Sequence, residues 1–291
     1  MRVTQNMLAA NSLRNLSSSY AKLGKYQDQL STGKKITKPS DDPVVAMKGM
    51  AYRSQLTEVD QYQRNLSELH LWMDNSEAGI EQANSALQRI RELIVQGSNG
   101  ALSPDDRQAI TAEVGQLKQD LVNTANTKVA GRYIFNGTDV NHPPVSQDDH
   151  PQVTANTSDY MVEVSDGVSM KANVNPDNVF GQKLFDTVYS IQEALENNTP
   201  DQLDSLLGDL DDVMDTLSAE RSDLGARSNR LDMVENRLDR QNIMATQVLS
   251  DNEDASLEEV IINLTTQESV HRAALSVGSQ IIQPTLIDFL R

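Results

Sequence analysis

Two runs of apolar residues do most to limit the folds open to this chain. In the first, Val59, Tyr62, Leu66, Leu69, Met73, Ser76, Ile80, Ala83, Leu87, Ile90 and Ile94 recur at intervals alternating between three and four, and ten of the eleven positions are apolar. The second run keeps the same rhythm through Leu203, Leu206, Leu210, Val213, Leu217, Glu220, Leu224, Arg227, Leu231, Val234, Leu238, Gln241, Ala245 and Val248, with eleven of fourteen apolar. A mean repeat of about 3.5 residues is the seam of helices that supercoil to the left around a partner. At about 1.5 Å per residue, fifty residues of such helix make a rod of roughly 75 Å. A long helix on each side of a non-helical insertion can pair antiparallel, which brings the two chain ends together. The expected fold is mainly α: a long antiparallel helical rod with coiled-coil termini and a small β-rich inserted domain.

Composition fits seam-packed rods. Only 4% of the 291 residues are aromatic, with one tryptophan, Trp72, whereas large globular cores lean on aromatic burial. Lys and Arg total 25 against 42 Asp and Glu, a net charge of −17, which argues against nucleic acid or an anionic membrane as partner. Cysteine is absent, removing disulfides, thiolate metal sites and a Cys nucleophile. No apolar run approaches the roughly 18 residues of a membrane span, and the N-terminal stretch lacks the apolar core of a signal peptide. These marks predict a cytosolic chain, or one exported by a route that reads no cleavable signal.

Residues 1–30 read as a helix with apolar residues at Ala9, Leu13, Leu16, Tyr20, Leu23 and Leu30. Residues 31–42 read as a loop, closed by Asp42 before Pro43, an N-cap and a first-turn proline. A long helix from Pro43 to about Gln96 follows, ended by Gly97-Ser98-Asn99-Gly100. Ser103 caps the next, which turns Ile110, Val114, Leu117 and Leu121 inward and runs to about Val129. Residues 138–180 hold four of the nine prolines, and Tyr160–Val164, Asp166-Gly167 and Val168–Val174 read as a hairpin, because Asp-Gly favours the tight turn of paired strands. This stretch is a small β-rich unit or a mobile decoration. Helix resumes with Leu184, Val188, Ile191 and Leu195, then the second long seam, then a last stripe of Leu257, Ile261, Leu264, Leu275 and Ile282. The organisation expected is a terminal coiled-coil region (1–41 and 251–291), a helical rod core (42–137 and 181–250) and a β-rich variable domain (138–180).

Charge separates the two ends. Residues 1–40 carry seven basic residues and one acid, residues 251–291 seven acids and two arginines. Isolated short helices are marginal in water, so these two are expected to meet each other and to want further partners. They are expected to stay loosely ordered in the free monomer, with ordering deferred to assembly.

Little in the sequence carries chemistry. His70, His142, His150 and His271 fall in no metal-ligand spacing, and His142, His150, Asp148 and Asp149 read as solvated side chains of an acidic loop. Asp41 and Asp42 could be drawn as an acid–base pair, but their place before Pro43 assigns them to capping. No GxSxG, P-loop or GxGxxG is present. The chain is expected to be no enzyme and to hold no metal or cofactor.

A resemblance enters with Leu30-Ser31-Thr32-Gly33-Lys34-Lys35-Ile36 and Pro39-Ser40-Asp41-Asp42-Pro43. Together with Gln96–Gly100, Asp106-Arg107, Glu113–Leu117 and Gly131–Gly137, these residues are similar to the bacterial flagellin superfamily over 1–137 and about 180–291. Three features resemble its hook–filament junction proteins more than filament subunits: the opening Met1–Met7 with Arg14-Asn15-Leu16, Pro43 in place of the alanine usual in flagellins, and the tail Gln283–Leu290. The resemblance implies a structural subunit of the flagellum forming the junction ring between hook and filament; the alternative is a flagellin of the filament. It further implies an inner tube of terminal helices, an outer rod, a surface domain, and an extracellular place reached by flagellar type III export without a cleaved signal. Implied partners are hook-associated protein 1, flagellin, the cap protein (hook-associated protein 2), an export chaperone and copies of itself. Leu13, Leu16, Tyr20, Leu23 and Leu30 with Leu257, Ile261, Leu264, Leu275 and Ile282 are the expected assembly interface.

Overall fold

The computed structural model describes residues 3–98 and 103–282; Asn99-Gly100 of the expected turn and the tail Gln283–Leu290 lie outside them. In order come α1 (Val3–Thr32), α2 (Pro43–Gly97), α3 (Pro104–Ala125), β1 (Lys128–Val129), β2 (Arg132–Tyr133), β3 (Met161–Ser165) and β4 (Val168–Lys171). Helices α4 (Pro176–Phe180), α5 (Gln182–Glu196), α6 (Pro200–Glu253) and α7 (Leu257–Ile282) follow. The chain is mainly α, and α2 and α6, of 55 and 54 residues, lie where the two seams predict. It divides into two compact units, Met1–Glu58 with Gln241–Arg291, and Val59–Arg240. Both boundaries fall inside the long helices.

In the larger unit α2 and α6 run antiparallel. Their cross-links read in opposite sequence order: Gln63 to Asp239 at 2.9 Å, His70 to Glu235 at 3.1 Å, Glu77 to Arg221 at 2.8 Å and Arg91 to Asp211 at 2.8 Å. Between these rungs the seams close on Leu66, Leu69, Ile80 and Leu87 from α2 and Leu210, Leu217, Leu224 and Leu231 from α6, all buried. Helix α2 buries more than its seam. Trp72 and Leu93 are also covered, Trp72 by Tyr160 with ring centroids 5.4 Å apart and by the Arg132 guanidinium at 5.6 Å. Gly79 admits the Phe135 ring, which a Cβ there would meet at 2.7 Å.

Helix α3 begins as the sequence predicts: the Ser103 hydroxyl accepts from the Asp106 N–H, with Pro104 in the first turn. It stops earlier than expected. The Asn126 N–H closes the last turn on the Val122 carbonyl, and Val129 belongs to β1, which turns onto β2. Leu117 is only half-buried, and Lys118 takes the covered place. The loop carrying Asp149 supplies the anion, with the Lys118 Nζ 2.9 Å from the carboxylate and 5.4 Å from the Tyr189 ring centre.

Residues 138–180 hold one antiparallel hairpin, β3 on β4 around Asp166-Gly167, and a single bridge between Val145 and Val153. Its apolar side chains Val164, Met170, Val174 and Phe180 join the same core cluster as the long seams. Two of the polar interruptions in the α6 seam hold it there. The buried Glu220 carboxylate accepts from the Asn175 N–H and from Asn178 Nδ2, each at 2.8 Å. Arg227 donates to the Asn173 carbonyl at 2.8 Å and lies 3.5 Å from Glu220. A charged pair at seam positions is therefore the dock for the segment that crosses them, with the ionised groups paired as burial demands.

Candidate assembly interface

The smaller unit holds α1, α7 and the first and last turns of α2 and α6. Helices α1 and α7 pack antiparallel. Ser12, Leu13 and Leu16 line one cavity of about 220 Å³ with Ala274, Leu275 and Gly278, while Tyr26 and Gln29 lie against Ser256, Val260 and Asn263. The seam between them is small and polar. Ser19 Oγ accepts from Gln267 Nε2 at 2.8 Å and bonds His271 Nδ1 at 3.2 Å, so His271 is a contact between the two helices. Among the described residues only Ser19 of α1 and Val260 of α7 are buried.

The expected interface residues divide accordingly. Leu16, Leu23 and Leu264 are half-buried on the seam. Leu13 and Tyr20 are 57% and 72% exposed, and Leu30, Leu257, Ile261 and Leu275 are exposed as well. Ile282 ends α7, and its side chain lies outside what the structure describes. The expected set is thus split: Leu16, Leu23 and Leu264 share the seam with small residues, Ser12, Ser19, Ala274 and Gly278, that let the helices approach, and Leu13, Tyr20, Leu30, Leu257, Ile261 and Leu275 stand open to solvent. Exposed Ile262, Val270 and Val277 extend the outward apolar surface of α7. The heptad spacing of Ser12, Ser19 and Tyr26 was the signal available for this. Large apolar side chains left in water around a thin polar seam make an exposed apolar surface of the kind that marks interaction sites.

Below the seam a joint closes the unit. The Lys35 N–H donates to the Glu253 carbonyl at 2.6 Å and the Ala255 N–H to the Gly33 carbonyl at 2.8 Å. Lys34 Nζ sits 2.6 Å from the Asp254 carboxylate and 3.7 Å from that of Glu253. Glu253 is buried and receives Arg53 Nη2 on both oxygens at 2.7 Å. Its carboxylate fills the space beside Gly49, where a Cβ would meet Oε1 at 2.2 Å. The hydrogen bonds from Lys34 and then Ser250 hold the Asp254 carboxyl below its ordinary value.

The loop from 33 to 42 is built on its acids. Asp42 caps α2 by accepting from the N–H groups of Val44 and Val45 at 3.0 and 3.1 Å. Asp41 accepts from the N–H of Lys38 and of Thr37, and those bonds lower its pKa. Both aspartates are structural, as their place before Pro43 suggests. The opposite charges of the two ends meet at this joint. His142, His150 and Asp149 do not converge: they pair separately with Asp139, Asp186 and Lys118.

Comparison with known proteins places this architecture. The bacterial flagellin N-terminal helical region matches residues 3–139 and the C-terminal helical region residues 207–290. Flagellar hook-associated protein 3 of Escherichia coli is 26% identical, in an alignment spanning 94% of this chain and 95% of its own length. A flagellar hook-associated protein of Vibrio parahaemolyticus shares the fold with a TM-score of 0.68 at 22% identity, over 74% of this chain and 100% of its own. The flagellar junction protein FlgL of Legionella pneumophila does so with a TM-score of 0.60 at 16% identity, over 71% and 99%. With one family's two helical regions matched in order on either side of the insertion, the chain belongs to the bacterial flagellin family.

Proposed function

We propose that this chain is the structural subunit of the flagellum that joins hook to filament. The observation that carries this reading is the exposed apolar surface of α1 and α7, left over by a seam that buries almost nothing. Copies of the chain close a ring through these helices, exchanging the weak α1–α7 contact for contacts with neighbours. The ring stands on hook-associated protein 1 and accepts flagellin or the cap protein, hook-associated protein 2, above it. The subunit reaches this extracellular place through the flagellar type III route, escorted by an export chaperone, and its role is structural rather than enzymatic. Similarity to hook-associated protein 3 along nearly the whole chain supports the junction reading.

The test is deletion of the gene. A junction subunit leaves hooks without filaments and flagellin free in the medium. Purified monomer seeded with filament fragments checks the other side: unlimited elongation would mean a flagellin and overturn the junction reading.

A further inference from the structure

We propose that His70, Asp232 and Glu235 form a divalent-cation site of the zinc class, clipping α2 to α6 within the larger unit. At three other rungs between these helices a carboxylate meets an arginine or a neutral amide: Glu77 with Arg221, Asp211 with Arg91, Asp239 with Gln63. The fourth rung is built differently. Two carboxylates one turn apart on α6 face a single imidazole on α2, and one ligand atom from each of the three residues lies within 4.8 Å of the others. His70 is the one ion-pair partner of Glu235, and Asp232 has none among the described residues. Two carboxylates facing a single imidazole leave this rung short of positive charge, which a divalent cation supplies.

The geometry suits an ion. His70 Nε2 and Glu235 Oε2 stand 3.1 Å apart, close to the roughly 3 to 3.4 Å between two ligand atoms that each lie about 2.1 Å from one metal. Asp232 is exposed and can swing in, while the buried Leu69, Leu231 and Val234 beside the ligands fix both helices. One imidazole with two carboxylates is the mixed donor set of zinc and its first-row neighbours, whereas magnesium and calcium take oxygen throughout. Coordination needs the imidazole unprotonated, so binding weakens on acidification. No sequence motif announces the site, because 165 residues separate His70 from Glu235.

Calorimetric titration of zinc chloride into the untagged full chain, with thermal melts beside it, tests this independently of any role in the flagellum. One equivalent should bind and raise the melting temperature. His70→Gln, and separately the double variant Asp232→Asn with Glu235→Gln, should each weaken binding by roughly tenfold or more and abolish the thermal shift. Millimolar magnesium should leave the titration unchanged. Absence of binding, equal affinity in His70→Gln, or displacement by magnesium would each overturn the site.

Discussion

A hydroxyl without a partner sits in the middle of the α2 seam: Ser76 is fully buried, and its Oγ finds no hydrogen bond among the described residues. An unpaired buried polar group costs about 1–3 kcal/mol, so Ser76→Ala should raise the stability of the larger unit by about 1 kcal/mol, read from a denaturant melt. Glu220 is the contrary case, a polar seam residue with every oxygen engaged. Glu220→Ala removes the acceptor of the Asn175 N–H and of Asn178 Nδ2 and one of two carboxylates beside Arg227, which keeps Asp223 at 2.9 Å, and should destabilise by about 2 kcal/mol. In the sequence these two positions look alike, as gaps in an apolar repeat. They differ only in what crosses the seam there, and the crossing segment, near Asn175, is distant in the chain. Periodicity reports a helix's own face, not the visitor that packs on it.

At the level of elements, the long helices and their caps were legible because heptads, Asp42-Pro43 and Ser103-Pro104 are local signals. The end of α3 was not, since Val129 satisfies a helical stripe and a strand equally, and a turn at Ala130-Gly131 decides between them. The stripe of α7 was legible as apolar, but not which of its residues α1 covers: Leu264 lies half-buried, whereas Leu257, Ile261 and Leu275 stand exposed. Because α1 and α7 bury one residue each among the described residues, their amides should exchange faster in the monomer than those of α2 between Leu66 and Ile94. Hydrogen exchange read by mass spectrometry should show that ordering, and equal protection would count against a loose terminal pair.

The joint carries its own pH dependence. Asp254 is held below its ordinary value mainly by Lys34, so its contribution is present above the unfolded carboxylate value of about 3.9 and is lost as the pH falls through the lower folded value. The stability difference between the parent chain and Asp254→Asn should therefore be constant at neutral pH and vanish in strong acid, as thermal melts across pH 2–7 can show.

For the whole molecule, the sequence placed the two ends together through their opposite charge, and the structure joins them at Lys34, Glu253 and Asp254. What the ends do next depends on neighbours. Leu275 is 47% exposed in the monomer, so Leu275→Asp should leave the thermal melt within about 0.5 kcal/mol of the parent yet prevent filaments from forming on hooks, scored by electron microscopy of complemented cells.

The paired backbone bonds between residues 33–35 and 253–255 also define a path for force. A pull on the free ends of α1 and α7 first parts a zipper of small, polar teeth, which yields easily. It then reaches a clasp of two main-chain bonds backed by Lys34 and a buried Glu253–Arg53 pair, and stops there. Tension borne at the ends of the chain is thereby returned from one end to the other at this clasp, so the long helices beyond it need not stretch while the appendage turns.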